Sequence, residues 1–177
     1  MQRRPQAFVL ALLVALSAAS QAHGPTRQKV VERTTIDAPA DAVWGKLKDF
    51  DALKDWHPAV ATSPADKRNT VGSVRTIWLK GGGELVETLE GYSDEQKKYT
   101  YRLKDGGALP VSNYTSTIQV TGDGGKSVVE WRGAFYRAYP GNEPPPDKND
   151  DAAVKAVTGV YQSGLANLKK LAEGKQP

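Results

Sequence analysis

The sequence predicts an α+β fold: a curved antiparallel sheet wrapped around one long C-terminal helix, with an internal cavity between them. Three observations carry this expectation. Five stretches between Gly72 and Tyr139 alternate in polarity with a period of two and are separated by glycine-rich turns. From Asp151 to about Glu173, Val154, Val157, Val160, Tyr161, Gly164, Leu165, Leu168 and Leu171 recur at helical spacing as one apolar stripe. The inward side of the strands also carries Arg75, Glu87 and several tyrosines, which a dry core does not accept unpaired.

"QKVVERTTIDAPA" reads as a first strand from Gln28 to about Asp37. Pro39 opens a helix, "PADAVWGKLKDF", with Asp37 as its expected cap. A second short helix, "DALKDWHP", ends at Pro58, because the residue before proline resists helical geometry. "AVATSPAD" is read as a further short strand. "GSVRTIWLK" and "GELVETLEGY" form a hairpin across Gly81 to Gly83. "KKYTYRLKD", "VSNYTSTIQV" and "KSVVEWRGAFYRAY" continue the meander, the last two joined by a turn at Gly122 to Gly125. "PGNEPPPDKND" is a stiff polar loop before the long helix, whose final lysines suit the helix dipole.

Alternation assigns the faces. Inward lie Arg75, Ile77 and Leu79; Leu85, Glu87 and Leu89; Tyr99, Tyr101 and Leu103; Tyr114, Ser116, Ile118 and Val120; Val129, Trp131, Gly133 and Phe135. Trp78 breaks the pattern and points outward. A three-residue hairpin loop puts Leu79 opposite Leu85, Ile77 opposite Glu87, and Arg75 diagonal to Glu87 within an arginine's reach. The same register puts Leu89 opposite Tyr101, with the Tyr101 hydroxyl near Glu87. Tyr114 is expected to face Gly133 across the last hairpin. Arg75 and Glu87 are either a structural ion pair or polar anchors in a cavity; a face that also carries tyrosines favours the cavity. Gly164, on the apolar stripe, either lets the helix approach the sheet or leaves room beside it.

"MQRRPQAFVLALLVALSAASQAHG" has the three parts of a secretory signal: Arg3 and Arg4, an apolar run from Phe8 to Leu16, and small residues at Ser20 and Ala22. The run is shorter than the roughly 20 residues of a membrane span. Residues 1–22 are therefore expected to be a cleaved signal peptide and residues 23–177 a single domain. Cleavage leaves 155 of 177 residues and lowers the net charge from +4 to +2, which gives no basic stripe for nucleic acid. There is no cysteine, and His23 and His57 are the two histidines, so no disulfide, metal cluster or cofactor is expected.

Taken together, "PADAVWGKLKDFDALKDWHPAV", "VGSVRTIWLKGGGELVETLEGYSDEQKKYTYRL", "LPVSNYTSTIQV", "VVEWRGAFY" and "VTGVYQSGLANLKKL" resemble the polyketide cyclase/dehydratase-like branch of the START/Bet v1 (SRPBCC) superfamily. The resemblance implies a helix-grip fold with a deep cavity between sheet and helix. It implies that the loop "GGALPV", with Leu109, lies at the cavity mouth, and that "DWHP", with Trp56 and His57, lies near the same entrance. By signal peptide, length and motif set the chain also resembles the MxaD-type periplasmic proteins, which implies an accessory role beside an oxidoreductase.

The expected function is that of an exported, periplasmic or secreted binder of a small, largely apolar molecule, without catalysis. Its site would be formed by Arg75, Glu87, Tyr101, Tyr114, Trp131, His57, Trp56 and Leu109. Two alternatives stay open. One is docking on a periplasmic oxidoreductase through Trp78 and the "NEPPPDKND" loop. The other is a cyclase or dehydratase with Glu87, His57 or a tyrosine as acid or base.

Overall fold

The computed structural model describes residues 24–174; the expected signal peptide lies outside them. Seven strands form one antiparallel sheet in the order β1-β7-β6-β5-β4-β3-β2. The strands are β1 (Gln28–Ile36), β2 (Val60–Thr62), β3 (Val74–Leu79), β4 (Glu84–Ser93), β5 (Lys98–Leu103), β6 (Val111–Asp123) and β7 (Lys126–Arg137). Helices α1 (Ala40–Leu47) and α2 (Leu53–Trp56) bridge β1 and β2, and α3 (Asp150–Ala172) follows the last strand. This is the curved antiparallel sheet that the alternation predicts, in the helix-grip fold that the resemblance implies. Among the described residues no helix is long and apolar enough to cross a membrane.

The predicted faces hold because hydrophobic burial selects one side of each strand. Ile77, Leu85, Leu89, Tyr99, Tyr101, Leu103, Ile118, Val120, Val129, Trp131 and Phe135 are all buried, and Trp78 is 45% exposed. The register differs from the expectation in two hairpins. Ile77 pairs with Leu85, and Arg75 lies directly opposite Glu87 rather than diagonal to it. Gly82 and Gly83, at φ +91° and +89°, lengthen the β3–β4 turn, which closes with Leu79 N–H donating to the Gly83 carbonyl at 3.1 Å. In the last hairpin the turn is two residues, Gly124–Gly125, between paired Asp123 and Lys126, so Gly133 faces Ser116 rather than Tyr114. Each slip is two residues, which leaves every side chain on its predicted face.

A bulge between Ser112 and Thr115, with Asn113 at φ +48°, turns both Val111 and Tyr114 inward. Asn is among the few residues that take this conformation readily.

Helix α3 starts where Asn149 Oδ1 accepts the Ala152 N–H at 2.8 Å. Its buried line is Ala153, Val157, Tyr161, Gly164, Leu165 and Leu168. Val154 and Val160 are only partly buried, and Leu171 is 38% exposed, so the stripe is narrower than predicted and ends a turn early. The expected Asp37 cap is absent: α1 begins after Pro39 without a side-chain cap, and Asp37 instead pairs with Lys126 at 3.3 Å.

The two glycines of α3 have different settings. A Cβ on Gly164 would stand 2.7 Å from His57 Cδ2, 2.9 Å from Trp131 Cζ3 and 3.1 Å from Trp56 Cζ3, so this glycine permits close approach. Gly159 is exposed, with open space around it. The same substitution should therefore have opposite signs along one helix. Gly159→Ala should stabilise by about 0.5–1 kcal/mol through helix propensity. Gly164→Ala should destabilise by about 1–3 kcal/mol, because three packed rings cannot move aside. Urea denaturation of the two variants checks both signs.

Candidate functional site

The space between α2, α3 and strands β3 to β7 is not filled. A cavity of about 110 Å³ lies there, lined by Leu53, His57, Ala59, Val60, Ile77, Leu79, Leu85, Glu87, Tyr101, Leu103, Leu109, Tyr114, Trp131 and Val160. Six of the eight residues singled out from the sequence reach it: His57, Glu87, Tyr101, Leu109, Tyr114 and Trp131. Arg75 and Trp56 do not line it. Arg75 stands behind Glu87. Trp56 is fully buried against His57 and Trp131, and its indole N–H has no hydrogen-bond partner among the described residues.

Three polar groupings surround the hollow. The first is the ion pair. Arg75 Nε and Nη2 both donate to Glu87 Oε2, at 3.0 and 2.5 Å, and Nη1 donates to the Phe50 carbonyl at 2.5 Å. The guanidinium also lies 4.0 Å from the centroid of the Phe50 ring and 5.4 Å from that of Tyr101. Burial opposes the charge on Arg75, and Glu87 beside it, together with Tyr99 and Tyr101, more than restores it. Burial also raises the Glu87 carboxyl above its ordinary value, with Arg75 pulling the other way. A lone buried guanidinium would be costlier still, so the two groups are held as an ion pair. Both hydrogen bonds end on Oε2, and no described residue hydrogen-bonds to Oε1.

The second grouping is a hydroxyl cluster that the sequence reading missed in part. Tyr161 of α3, read as a stripe residue, reaches the sheet: its hydroxyl lies 2.6 Å from that of Tyr114 and 2.8 Å from Ser116 Oγ. Trp131 Nε1 donates to both Tyr101 and Ser116, each at 3.0 Å. The Trp131 and Tyr161 rings stack at 4.3 Å. Gly133 makes this possible, since a Cβ there would collide with the Tyr161 hydroxyl. An inward glycine on β7 was the available signal, but its partner comes from the helix rather than from Tyr114. The Tyr101 hydroxyl bonds within this cluster rather than to Glu87. Burial pushes Tyr99 up to about 12 and raises Tyr101, Tyr114 and Tyr161 as well, so all stay neutral donors.

The third grouping is His57, which is buried. Its Nδ1 accepts the Ala59 N–H at 3.3 Å, so Nε2 carries the proton and donates to the Val160 carbonyl at 3.0 Å. This bond pins α2 to α3 beside the cavity.

The mouth is built from two glycine loops. A Cβ on Gly83 would stand 2.9 Å from Ala108 Cβ, and one on Gly107 would stand 2.9 Å from Leu85 Cδ2. Ala108 N–H donates to the Glu84 carbonyl at 3.0 Å. The "GGALPV" segment is thereby held against the β3–β4 turn, and its half-buried Leu109 becomes one wall of the cavity.

The profile of the family described as polyketide cyclase / dehydrase and lipid transport matches residues 27–173. The chain belongs to this family, within the START/Bet v1-like superfamily. Members of this polyketide cyclase/dehydrase family share a ligand-binding fold, and the hollow described above lies in it. No curated protein matches the chain. Among solved structures, a Bacillus thuringiensis protein is similar at 28% identity and a TM-score of 0.71, over 82% of this chain and 98% of that one. The protein XoxI from Bacillus cereus is similar at 29% identity and a TM-score of 0.68, over 81% and 94%. Norcoclaurine synthase from Thalictrum flavum, in complex with dopamine and hydroxybenzaldehyde, shares the fold at 17% identity and a TM-score of 0.64, over 98% and 99%.

Two predictions follow from the charges. Arg75→Met alone strands Glu87 and should cost about 3–5 kcal/mol, whereas the double variant Arg75→Met/Glu87→Leu should recover most of that. Denaturant midpoints of the single and double variants check the difference. His57 has a pKa below its ordinary value, chiefly through burial. The folded state then binds fewer protons than the unfolded state, so stability is lost as pH falls through about 6.5, at up to about 1.4 kcal/mol per pH unit. Urea melts between about pH 7 and pH 5 should show this slope, and His57→Gln should flatten it.

Proposed function

We propose that the protein is exported and binds a small, largely apolar molecule in the internal cavity, without catalysing its conversion. The observation that carries this reading is the cavity itself: nine of its fourteen lining residues are aliphatic, and the few polar groups sit among them. This is the composition of a small-molecule site, though its volume lies below the roughly 300 Å³ at which drug-sized pockets begin. The ligand it fits has about one ring. Hydrocarbon-lined cavities of about 150 Å³ take up benzene.

The state of the polar groups argues against proton-transfer chemistry. Both ring nitrogens of His57 are engaged, the tyrosines are held neutral, and the ion pair with Arg75 opposes proton uptake by Glu87, although among the described residues only its Oε2 is bonded. A general base must be free to take a proton from its substrate. The signal-like leader supports export; N-terminal sequencing of protein recovered from a bacterial periplasm is expected to begin at residue 23.

A second reading rests on the outer face, where Trp78 and Val74 are exposed side chains on β3. These would serve docking on an oxidoreductase of the same compartment, as the MxaD resemblance implies.

Fluorobenzene tests the cavity. Its fluorine resonance should shift on titration with the wild-type protein. Leu109→Trp, which places a large ring in the mouth, should abolish the shift while the variant keeps its cooperative melt. An unshifted resonance with the wild type, or an equal shift with Leu109→Trp, rules out this site.

A further inference from the structure

The hydroxyl cluster has a determined proton order. A hydroxyl has one hydrogen to donate. Ser116 gives its hydrogen to the Arg132 carbonyl at 2.9 Å, because a carbonyl oxygen can only accept. The 2.8 Å contact between Ser116 and Tyr161 must then have Tyr161 as donor. With that hydrogen committed, the 2.6 Å contact between Tyr161 and Tyr114 must have Tyr114 as donor. The order therefore runs from Tyr114, in the cavity wall, to Tyr161 to Ser116 to the backbone of β7.

Tyr101 is left over. Trp131 Nε1 donates to its oxygen at 3.0 Å, so that oxygen is already an acceptor. Its own hydrogen has Tyr114 as a hydrogen-bonding partner within the cluster, at 3.4 Å. That distance is far beyond the usual 2.7–2.8 Å or so for O–H···O. The other polar groups in the wall are accounted for. His57 and Trp131 have spent their N–H groups. Glu87 has only acceptor oxygens, one of them held by Arg75. Tyr101 is thus the one lining side chain with a donor hydrogen in no good bond.

We infer that Tyr101 is the specificity-determining donor of the cavity, and that the ligand is a small neutral carbonyl compound whose oxygen accepts the Tyr101 hydrogen. This rests on the cavity reading above and names its ligand class. The Trp131 N–H polarises the Tyr101 hydroxyl and strengthens it as a donor. An acceptor in the ligand would complete a chain that the protein leaves open. The Glu87 carboxylate in the same wall disfavours anions, so a carboxylic acid in its ionised form is a poor fit. The remaining aliphatic wall takes the body of the molecule.

The probes are cyclohexanone and methylenecyclohexane, which differ in a carbonyl oxygen against a CH2 group on the same ring. Calorimetric titration with wild type and with Tyr101→Phe gives four affinities. Cyclohexanone should bind about threefold to tenfold more weakly to Tyr101→Phe, the worth of one neutral hydrogen bond. Methylenecyclohexane should bind the variant as well as, or better than, the wild type. In the wild type itself the infrared carbonyl stretch of bound cyclohexanone should move to lower wavenumber than in hydrocarbon solvent, a readout that needs no variant. If both ligands lose affinity equally in Tyr101→Phe, or the stretch does not move, the donor assignment is wrong and the cavity reading stands. If neither ligand binds the wild type, both fail together.

Discussion

The buried pair of Arg75 and Glu87 sets the dimensions of the interior. Desolvating two charges is costly, and a pair repays it only when its remaining hydrogen-bonding capacity is used. Arg75 uses its capacity on two elements at once: two donors go to Glu87 on the neighbouring strand and one goes to the Phe50 carbonyl. Phe50 lies between α1 and α2, and its N–H is held in turn by Asn69 Oδ1 at 2.8 Å. The guanidinium therefore fastens the helical bridge to the sheet at a fixed height. Its Phe50 and Tyr101 neighbours present ring faces to the cation, so the charge is met by polar and aromatic contacts rather than by aliphatic packing. Glu87 is what the cavity sees of this arrangement.

A hollow next to such a clamp survives because its walls cannot fold inward. Interiors normally reach close packing by rotamer adjustment of flexible side chains. Here four of the fourteen wall residues, His57, Tyr101, Tyr114 and Trp131, are rings with little freedom. Trp131 is stacked on Tyr161 and hydrogen-bonded twice, and His57 is held at both nitrogens. Gly164 brings α3 hard against His57, Trp56 and Trp131 at one point. The helix is thereby seated by rings it cannot compress, and the space on the far side of that contact, between Val160 and the β3–β5 strands, stays open.

The faces of β3 to β7 were legible in the sequence, because a period of two survives any even slip of register. Ile77, Glu87, Tyr101 and Trp131 were placed inward on that ground and are buried. The register itself was not legible. It depends on how many residues a glycine turn absorbs, and three glycines at 81–83 do not state that number. The direct opposition of Arg75 and Glu87 followed from the longer turn. The Asn113 bulge was hidden for a related reason: alternation read forward from Tyr114 gives the right face only beyond the bulge. Tyr161 was hidden by its own position, since a tyrosine on an apolar stripe looks like packing until the strand beneath it is known to carry glycine. Long-range pairs of this kind lie across 28 residues of sequence, from Gly133 to Tyr161, and no local pattern joins them.

Helix seating and site polarity turn out to share one origin. The Arg132 carbonyl takes the Ser116 hydrogen, which makes Ser116 an acceptor for Tyr161 and fixes that ring against Trp131. The same commitment fixes the direction of every later bond as far as Tyr114. A backbone carbonyl cannot reverse its role, so the order cannot flip as it could in a cluster of hydroxyls alone. The neutral state of the phenols, enforced by burial, keeps all the hydrogens in place at physiological pH. A buried donor left in a poor hydrogen bond is costly, and a partner entering the adjoining space can relieve that cost. In this protein that donor is Tyr101, and the space beside it is the cavity.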